Sequence, residues 1–179
     1  MSDFRRLADL FRLTLDALAS SREAEAVRIA SDTLALVESR IVETGKDADG
    51  SRFPGYSQKK VAASNYAGKS RSAGAAERVK RAKNLSYAEF RQLNNLQTGH
   101  VDLYFTGEMW RGTGVIVEKR LLRSTLVRIE GRTPESARKI YLNSARYGGS
   151  ILEPSDTELA QVKAAWAAAR ASRLRLIFR

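Results

Sequence analysis

The side chains that most often carry catalysis are scarce in this chain. One histidine, His100, and no cysteine occur among the 179 residues. A zinc site or a Cys–His pair needs several such ligands or both partners, so His100 has neither role available and is read as structural. Asp47-x-Asp49-Gly50 has the texture of a calcium loop, but the position that should carry a bidentate glutamate falls on Tyr56. A turn is the expected role. Gly68-Lys69-Ser70 has the ending of a phosphate-binding loop, yet the first glycine of that motif falls on Ala63 and no apolar strand precedes it. No G-x-S-x-G elbow is present. Asp47 and Asp49 sit in a polar loop, where nothing would raise one carboxyl for acid–base work. The expectation is a protein with no catalytic, cofactor-binding or metal-binding residues, and not an enzyme.

The chemistry that remains is charge. Net charge is +11, and it is unevenly placed. The segment from Met1 to Thr44 holds six basic and eight acidic residues, giving −2. From Lys59 to Lys83 there are eight basic residues against Glu77 alone, giving +7. The stretch from Ser155 onward adds +3. Such a concentration marks an anionic partner, either nucleic acid or an acidic protein surface, or else a solvated loop. The candidate contacts are Lys59, Lys60, Lys69, Arg71, Arg78, Lys80, Arg81 and Lys83. A composition of 43% hydrophobic and 28% charged residues is that of a globular domain, with no run near the length that spans a bilayer. The first ten residues interleave Asp3 and Asp9 with arginines, so no signal peptide is read there.

The elements that must position these residues follow from periodicity. Phe4, Leu7, Phe11, Leu15 and Leu18 recur every three or four residues and predict a helix over Asp3–Ala19. Ser20 with Glu23 has the form of a capping box that opens a second helix, with Val27, Ala30, Leu34, Val37 and Ile41 as its stripe. The two form an antiparallel hairpin or one kinked rod. Leu34, Val37 and Ile41 are candidate interface residues, on a neighbouring subunit as well as on their own domain. Gly45 ends the helix and a loop runs to Ser57. Lys59–Lys83 has little to bury and is expected as an exposed or partly disordered arm, with a short basic helix over Ala75–Lys83 in which Glu77 pairs with Arg81.

Order is expected to return at Ser86, whose spacing to Glu89 makes another capping box. A short helix through Leu96 closes at Gly99. Val101, Leu103 and Phe105 alternate with polar neighbours as a strand. A turn of helix follows with Met109 and Trp110, which cap the core or anchor a partner. Val115–Lys119 and Thr125–Glu130 read as a hairpin, with Val115, Val117, Leu126 and Ile129 as its apolar positions and Val101–Phe105 joining the same sheet. Thr133-Pro134 opens a helix to about Arg146. Ser155 and Glu158 cap the last one, which carries Leu159, Val162, Trp166 and Ala169; Leu174–Arg179 is a strand or a frayed end. The fold class is α+β: N-terminal helices, a small mainly antiparallel sheet and two packing helices near the C-terminus. The organisation is one domain made of a helical region, 1–44, a loop and basic insertion, 45–85, and an α+β core, 86–179.

Three stretches resemble one family. They are LVESRIVETGKDADGSRFPGYS, ending at Ser57, FRQLNNLQTGHVDLYFTGEMW from Phe90 to Trp110, and YGGSILEPSDTELAQV from Tyr147 to Val162. A helix runs into a G-x-D-x-x-G loop, then come a basic insertion, a Leu-x-x-Thr-Gly turn with a short helix, a strand pair, a helix closing at Tyr-Gly, a proline and a final helix. This order, over roughly Ala35 to Ala169, is similar to the virion morphogenesis, neck or tail-completion proteins of tailed bacteriophages. The stretch between Gly148 and Pro154 is shorter than in that family. The resemblance implies a structural protein that forms oligomeric rings at the head–tail junction. Its expected partners are itself, adjacent connector, portal-side or tail proteins, and the DNA in the channel, with no membrane. Its location would be the virion, after assembly in the host cytoplasm. The rival reading is a nucleic-acid-binding module that uses the basic segment 59–83, with Tyr56, Tyr66 and Tyr87 available to stack on bases.

Overall fold

A computed structural model describes the backbone of residues 2–120, 124–147 and 149–177, and side chains over 21–119, 124–147 and 149–172. Helix α1, Ser2–Thr44, is continuous over 43 residues, a rod of about 64 Å at ~1.5 Å per residue. The expected break at Ser20 is absent. Around it lies Ala-Leu-Ala-Ser-Ser-Arg-Glu-Ala-Glu-Ala, with no glycine or proline. A serine inside such a run costs only about half a kcal/mol. A capping box there would interrupt the backbone ladder to satisfy two donors that the ladder already satisfies. The helix stops where Gly45 takes φ 64° and returns its N–H to the Ile41 carbonyl at 2.9 Å.

The insertion is folded rather than loose. Strands β1 (Val61–Ala62) and β2 (Asn84–Leu85) pair antiparallel and close a loop that holds a 3-10 turn, Ala63–Tyr66, and helix α2, Ala73–Arg81. Ser72 caps α2, its hydroxyl accepting from the Ala75 N–H at 3.2 Å. Ala63, Val79 and Leu85 bury against Phe90 of helix α3, Tyr87–Leu93, and make a second small core. This corrects the expectation of an exposed arm. The segment's few apolar residues are too far apart to show a period, and their partner Phe90 lies outside it.

Beyond α3 the chain is irregular to Gly107, then forms helix α4, Glu108–Arg111, strands β3 (Thr113–Arg120) and β4 (Thr125–Gly131), helix α5 (Pro134–Tyr147) and helix α6 (Asp156–Ile177). The fold is α+β. The capping boxes at Ser86 and Ser155 form as expected; Glu89 and Glu158 each accept the serine backbone N–H at 2.7 Å. The tail is helical through Ile177, not a strand, and the hairpin's turn and the last two residues lie outside the described residues.

The expected three-stranded sheet does not exist. β1 pairs only with β2 and β3 only with β4, and Val101–Phe105 joins neither. Val101 and Asp102 are buried in succession, which an alternating strand with one wet face cannot do, and Leu103 turns the chain at φ 52°. Within the β3–β4 hairpin, Val115 faces Ile129 and Val117 faces Val127, after which the register shifts by one residue. Val127, not Leu126, therefore shares the inner face with Ile129; Leu126 is 51% exposed. Period-two geometry forbids 126 and 129 on one face.

Helix α1 crosses the hairpin, and α6 runs antiparallel to α1. Glu158 meets Arg40 at 3.4 Å, and further along Trp166 and Ala169 share a groove with Ala24 and Arg28. The main core joins Val37, Ile41, Phe53, Val101, Met109, Trp110 and Ile151.

Candidate functional site

The candidate interface residues from the sequence are interior ones. Val37 and Ile41 are fully enclosed, Met109 and Trp110 are buried, and Leu34 packs partly buried on the same cluster. A stripe with this period serves either a core or a seam, and here Phe53 of the 45–57 loop, Val101, Met109, Trp110 and Ile151 of the same chain share its core. His100 is also structural. Its Nε2 lies 2.8 Å from the Val42 carbonyl and its ring lies against Gly45, so a β-carbon on residue 45 would stand 2.7 Å from the His100 Cβ. Asp47 forms a turn, its Oδ1 accepting from the N–H groups of Asp49 and Ser51 at 3.1 and 2.8 Å. Among the described residues no group of three His, Asp or Glu side chains converges to hold a metal ion, and no helix is long and apolar enough to cross a membrane.

The eight cations of the insertion are all exposed on this folded module. Lys60 pairs with Glu89 at 3.3 Å, and Lys80 with Glu77 at 3.0 Å. Glu77 was expected to meet Arg81; it takes the residue one position earlier, which also lies one turn away. Lys69 donates to the Asn65 carbonyl at 2.8 Å and Arg78 to the Leu93 carbonyl, tying the module to itself and to α3. Among the described residues, Lys59, Lys69, Arg71, Arg78, Arg81 and Lys83 have no carboxylate partner. Fixing the module is the work of short bonds, such as Arg71 N–H to Asn94 Oδ1 at 2.7 Å. The positive charge is therefore carried on a folded surface.

Beside that surface lies an open cleft of about 790 Å³ between the insertion, α3, the 103–107 loop and α5. One wall is aromatic. Phe90 stacks on Tyr66 at 4.4 Å and on Phe105 at 5.6 Å, and Tyr87 lies edge-on to Tyr56 at 5.5 Å. The other wall is one face of α5, where Glu135, Lys139, Asn143 and Arg146 follow at helical spacing. Lys139 bridges Glu108 at 2.7 Å and Glu135 at 2.9 Å. Its hydrogen bonds to Glu108 and then Glu135 raise the Lys139 ammonium above its ordinary range, and the bond from Lys139 holds the Glu108 carboxyl below its own. Burial pushes the Tyr66 and Tyr147 phenols up.

The floor is a buried ion pair. Arg91 Nη2 donates to both oxygens of Asp102, at 3.0 and 2.8 Å. Its Nη1 donates to the Tyr104 carbonyl and its Nε to the Gln97 carbonyl. Tyr56 donates its hydroxyl hydrogen to Asp102 at 2.6 Å, and its ring lies under the guanidinium at 4.3 Å. Burial, and then that bond to a carboxylate, drive the Tyr56 phenol far above its ordinary range. Every nitrogen of the guanidinium thus has an acceptor, the kind of satisfaction under which a buried pair is tolerated.

Sequence reasoning placed Tyr56, Tyr66, Tyr87 and Lys69 near the site and missed Arg91, Asp102, Phe105 and Arg146. Asp102 carried the available signal: a lone carboxylate inside Val-Asp-Leu-Tyr-Phe must be paired or at an edge. No protein-family model matches the chain, and no curated protein or solved structure shows significant similarity to it.

Proposed function

We propose that this chain is a structural virion protein, a subunit of a ring at the head–tail junction of a tailed bacteriophage, in the neck or as a tail-completion protein. The carrying observation is the folded cationic module: six exposed Lys and Arg side chains without a carboxylate partner among the described residues, mounted on an insertion hydrogen-bonded to the end of α3. A loose arm would lose much of its binding free energy to ordering; a fixed surface does not. The order of elements supports the same reading, since helix, G-x-D-x-x-G loop, insertion, Thr-Gly turn, hairpin and two final helices follow the order of the family that the sequence resembles. In such a ring each subunit would present its module to an acidic face of the next ring or to the DNA in the channel, and many weak copies would sum. The protein acts by assembly and not by catalysis. Deleting its gene from an inducible prophage should leave filled heads and separate tails in electron micrographs, with joining restored in trans. Joined particles at normal yield would refute the proposal.

The second reading is a nucleic-acid-binding module, favoured by the same cations. Phosphate binding on them would be non-specific and fall steeply with salt. Duplex binding by a monomer, with that slope, would support it against the ring.

A further inference from the structure

We propose that the cleft between the insertion and α5 is a docking slot for a short, extended, acidic segment of a neighbouring protein, anchored by one large apolar side chain. The inference rests on the ring reading, which supplies the neighbour. Length comes first. Glu135, Lys139, Asn143 and Arg146 line one wall, and from 135 to 146 α5 rises about 16 Å at ~1.5 Å per residue. An extended chain covers that distance in about five residues at ~3.3 Å each.

Charge sets the direction. At one end Glu108 and Glu135 are both engaged by Lys139, so neither is free to attract a cation. Arg91 is engaged by Asp102. Arg146, at the other end of α5, meets no carboxylate among the described residues and lies over the Tyr147 ring at 5.5 Å. Lys69, from the insertion, also lacks one. These two cations of the cleft, without a carboxylate among the described residues, thus favour an anionic occupant, and Arg71 stands two residues beyond Lys69.

The aromatic wall decides between a peptide and a nucleic acid strand. Phe90 is buried and packs against Tyr66 and Phe105, so its ring offers no open face. Nucleobases bind by stacking on open faces. A leucine or phenylalanine side chain needs only apolar edges, which this wall has. Among the described residues neither Leu103 nor Phe105 uses its backbone N–H or carbonyl in a hydrogen bond within the chain. The floor beneath is fixed by the Arg91–Asp102–Tyr56 network, so little ordering cost remains for binding.

The test uses the full chain and fluorescein-labelled pentapeptides, each with one Leu or Phe and two Asp or Glu. Controls are peptides with Lys in place of the acids or Ser in place of the apolar residue, and an oligothymidylate. Anisotropy should show saturable binding of the acidic–apolar set only. Lys69→Glu with Arg146→Glu should weaken it at least about ten-fold, while light-scattering mass stays that of the wild type. Equal binding of the controls, preference for oligothymidylate, or affinity untouched by the charge reversal would each overturn the proposal. So would collapse of the oligomer in the double variant, because the occupant would then be a second copy of this chain. If rings form and no peptide binds, the slot fails and the ring reading stands; if peptides bind a chain that never assembles, the ring reading fails.

Discussion

Arg91 and Asp102 form a bidentate ion pair with nearly no access to water: Arg91 is 1% exposed and Asp102 5%, and Nη2 lies 2.8 Å from the nearer carboxylate oxygen. The pair joins α3 to the irregular 94–107 segment, and through Tyr56 it also joins the loop after α1. Removing one member leaves a charge buried alone. Asp102→Ala should therefore cost about 3–5 kcal/mol in urea denaturation. Arg91→Met combined with Asp102→Leu should cost less than Asp102→Ala, since no charge is stranded. A smaller loss for the single variant than for the double would contradict this account of the pair.

Tyr56 makes alkaline stability depend on the same network. Its phenol is raised in the folded state, so between the ordinary tyrosine range and the folded value the native chain holds a proton that the unfolded chain has released. Stability is then fully present below about pH 10 and is lost as pH rises further. Titrated by phenolate absorbance, Tyr56 should ionise together with the loss of near-ultraviolet circular dichroism. In Tyr56→Phe, one phenolate fewer should appear with that unfolding step. Ionisation of all six tyrosines before unfolding would contradict the burial described.

The helices were legible in the sequence where period and cap agreed. Val37 and Ile41, Ser86 with Glu89, Thr133-Pro134 and Ser155 with Glu158 fell where expected, because each signal lies within one or two turns. One failure was local, the break at Ser20, where a cap pattern lies inside an unbroken helix; the others were non-local. Nothing near Val101–Phe105 reveals that Asp102 finds Arg91 eleven positions back; a strand pattern was the best local reading of a segment shaped by that pair. The insertion was misjudged for the same reason, since Val79 and Ala63 need Leu85 and Phe90. The cleft was half legible: its tyrosines and Lys69 stood in the suspected region, while Arg146 sits on a helix whose approach no local signal encodes.

Hydrogen exchange distinguishes a folded insertion from a loose one. Amides in α2 and the β2 strand, such as Val79 and Leu85, should be protected well beyond Lys59 and Lys60, because they belong to a cooperative unit with α3. Uniformly fast exchange from 59 to 83 would show that the second core does not hold in solution.

At Gly131 the first turn of α5 lies close against the hairpin. A β-carbon there would lie 2.2 Å from the Ala137 backbone nitrogen, and backbone cannot give way as a side chain can. Gly131→Ala should cost at least about 1–3 kcal/mol by thermal or urea unfolding. A neutral outcome would mean that α5 does not dock as described.

Replacing all eight insertion cations with glutamine should leave the fold in place. Each side chain is exposed; the two ion pairs lost, Lys60–Glu89 and Lys80–Glu77, are surface pairs worth about 0–1 kcal/mol each, and the exposed bonds of Lys69 and Arg78 to backbone carbonyls are lost with them, while the buried contacts of Ala63, Val79 and Leu85 stay. On the proposed ring reading, joining of heads to tails should fall sharply. Wild-type particle yield from this variant would reduce the module to a solvated surface.

Assembly itself is the central claim, and mass by size-exclusion chromatography with multi-angle light scattering addresses it most directly. The chain has a mass of 19.9 kDa. A ring subunit should give a discrete mass several times that value, alone or after addition of the neighbouring connector proteins, and negative-stain images of the peak should show closed rings with a central channel. A monomer of 19.9 kDa at every concentration, with and without those partners, would contradict it.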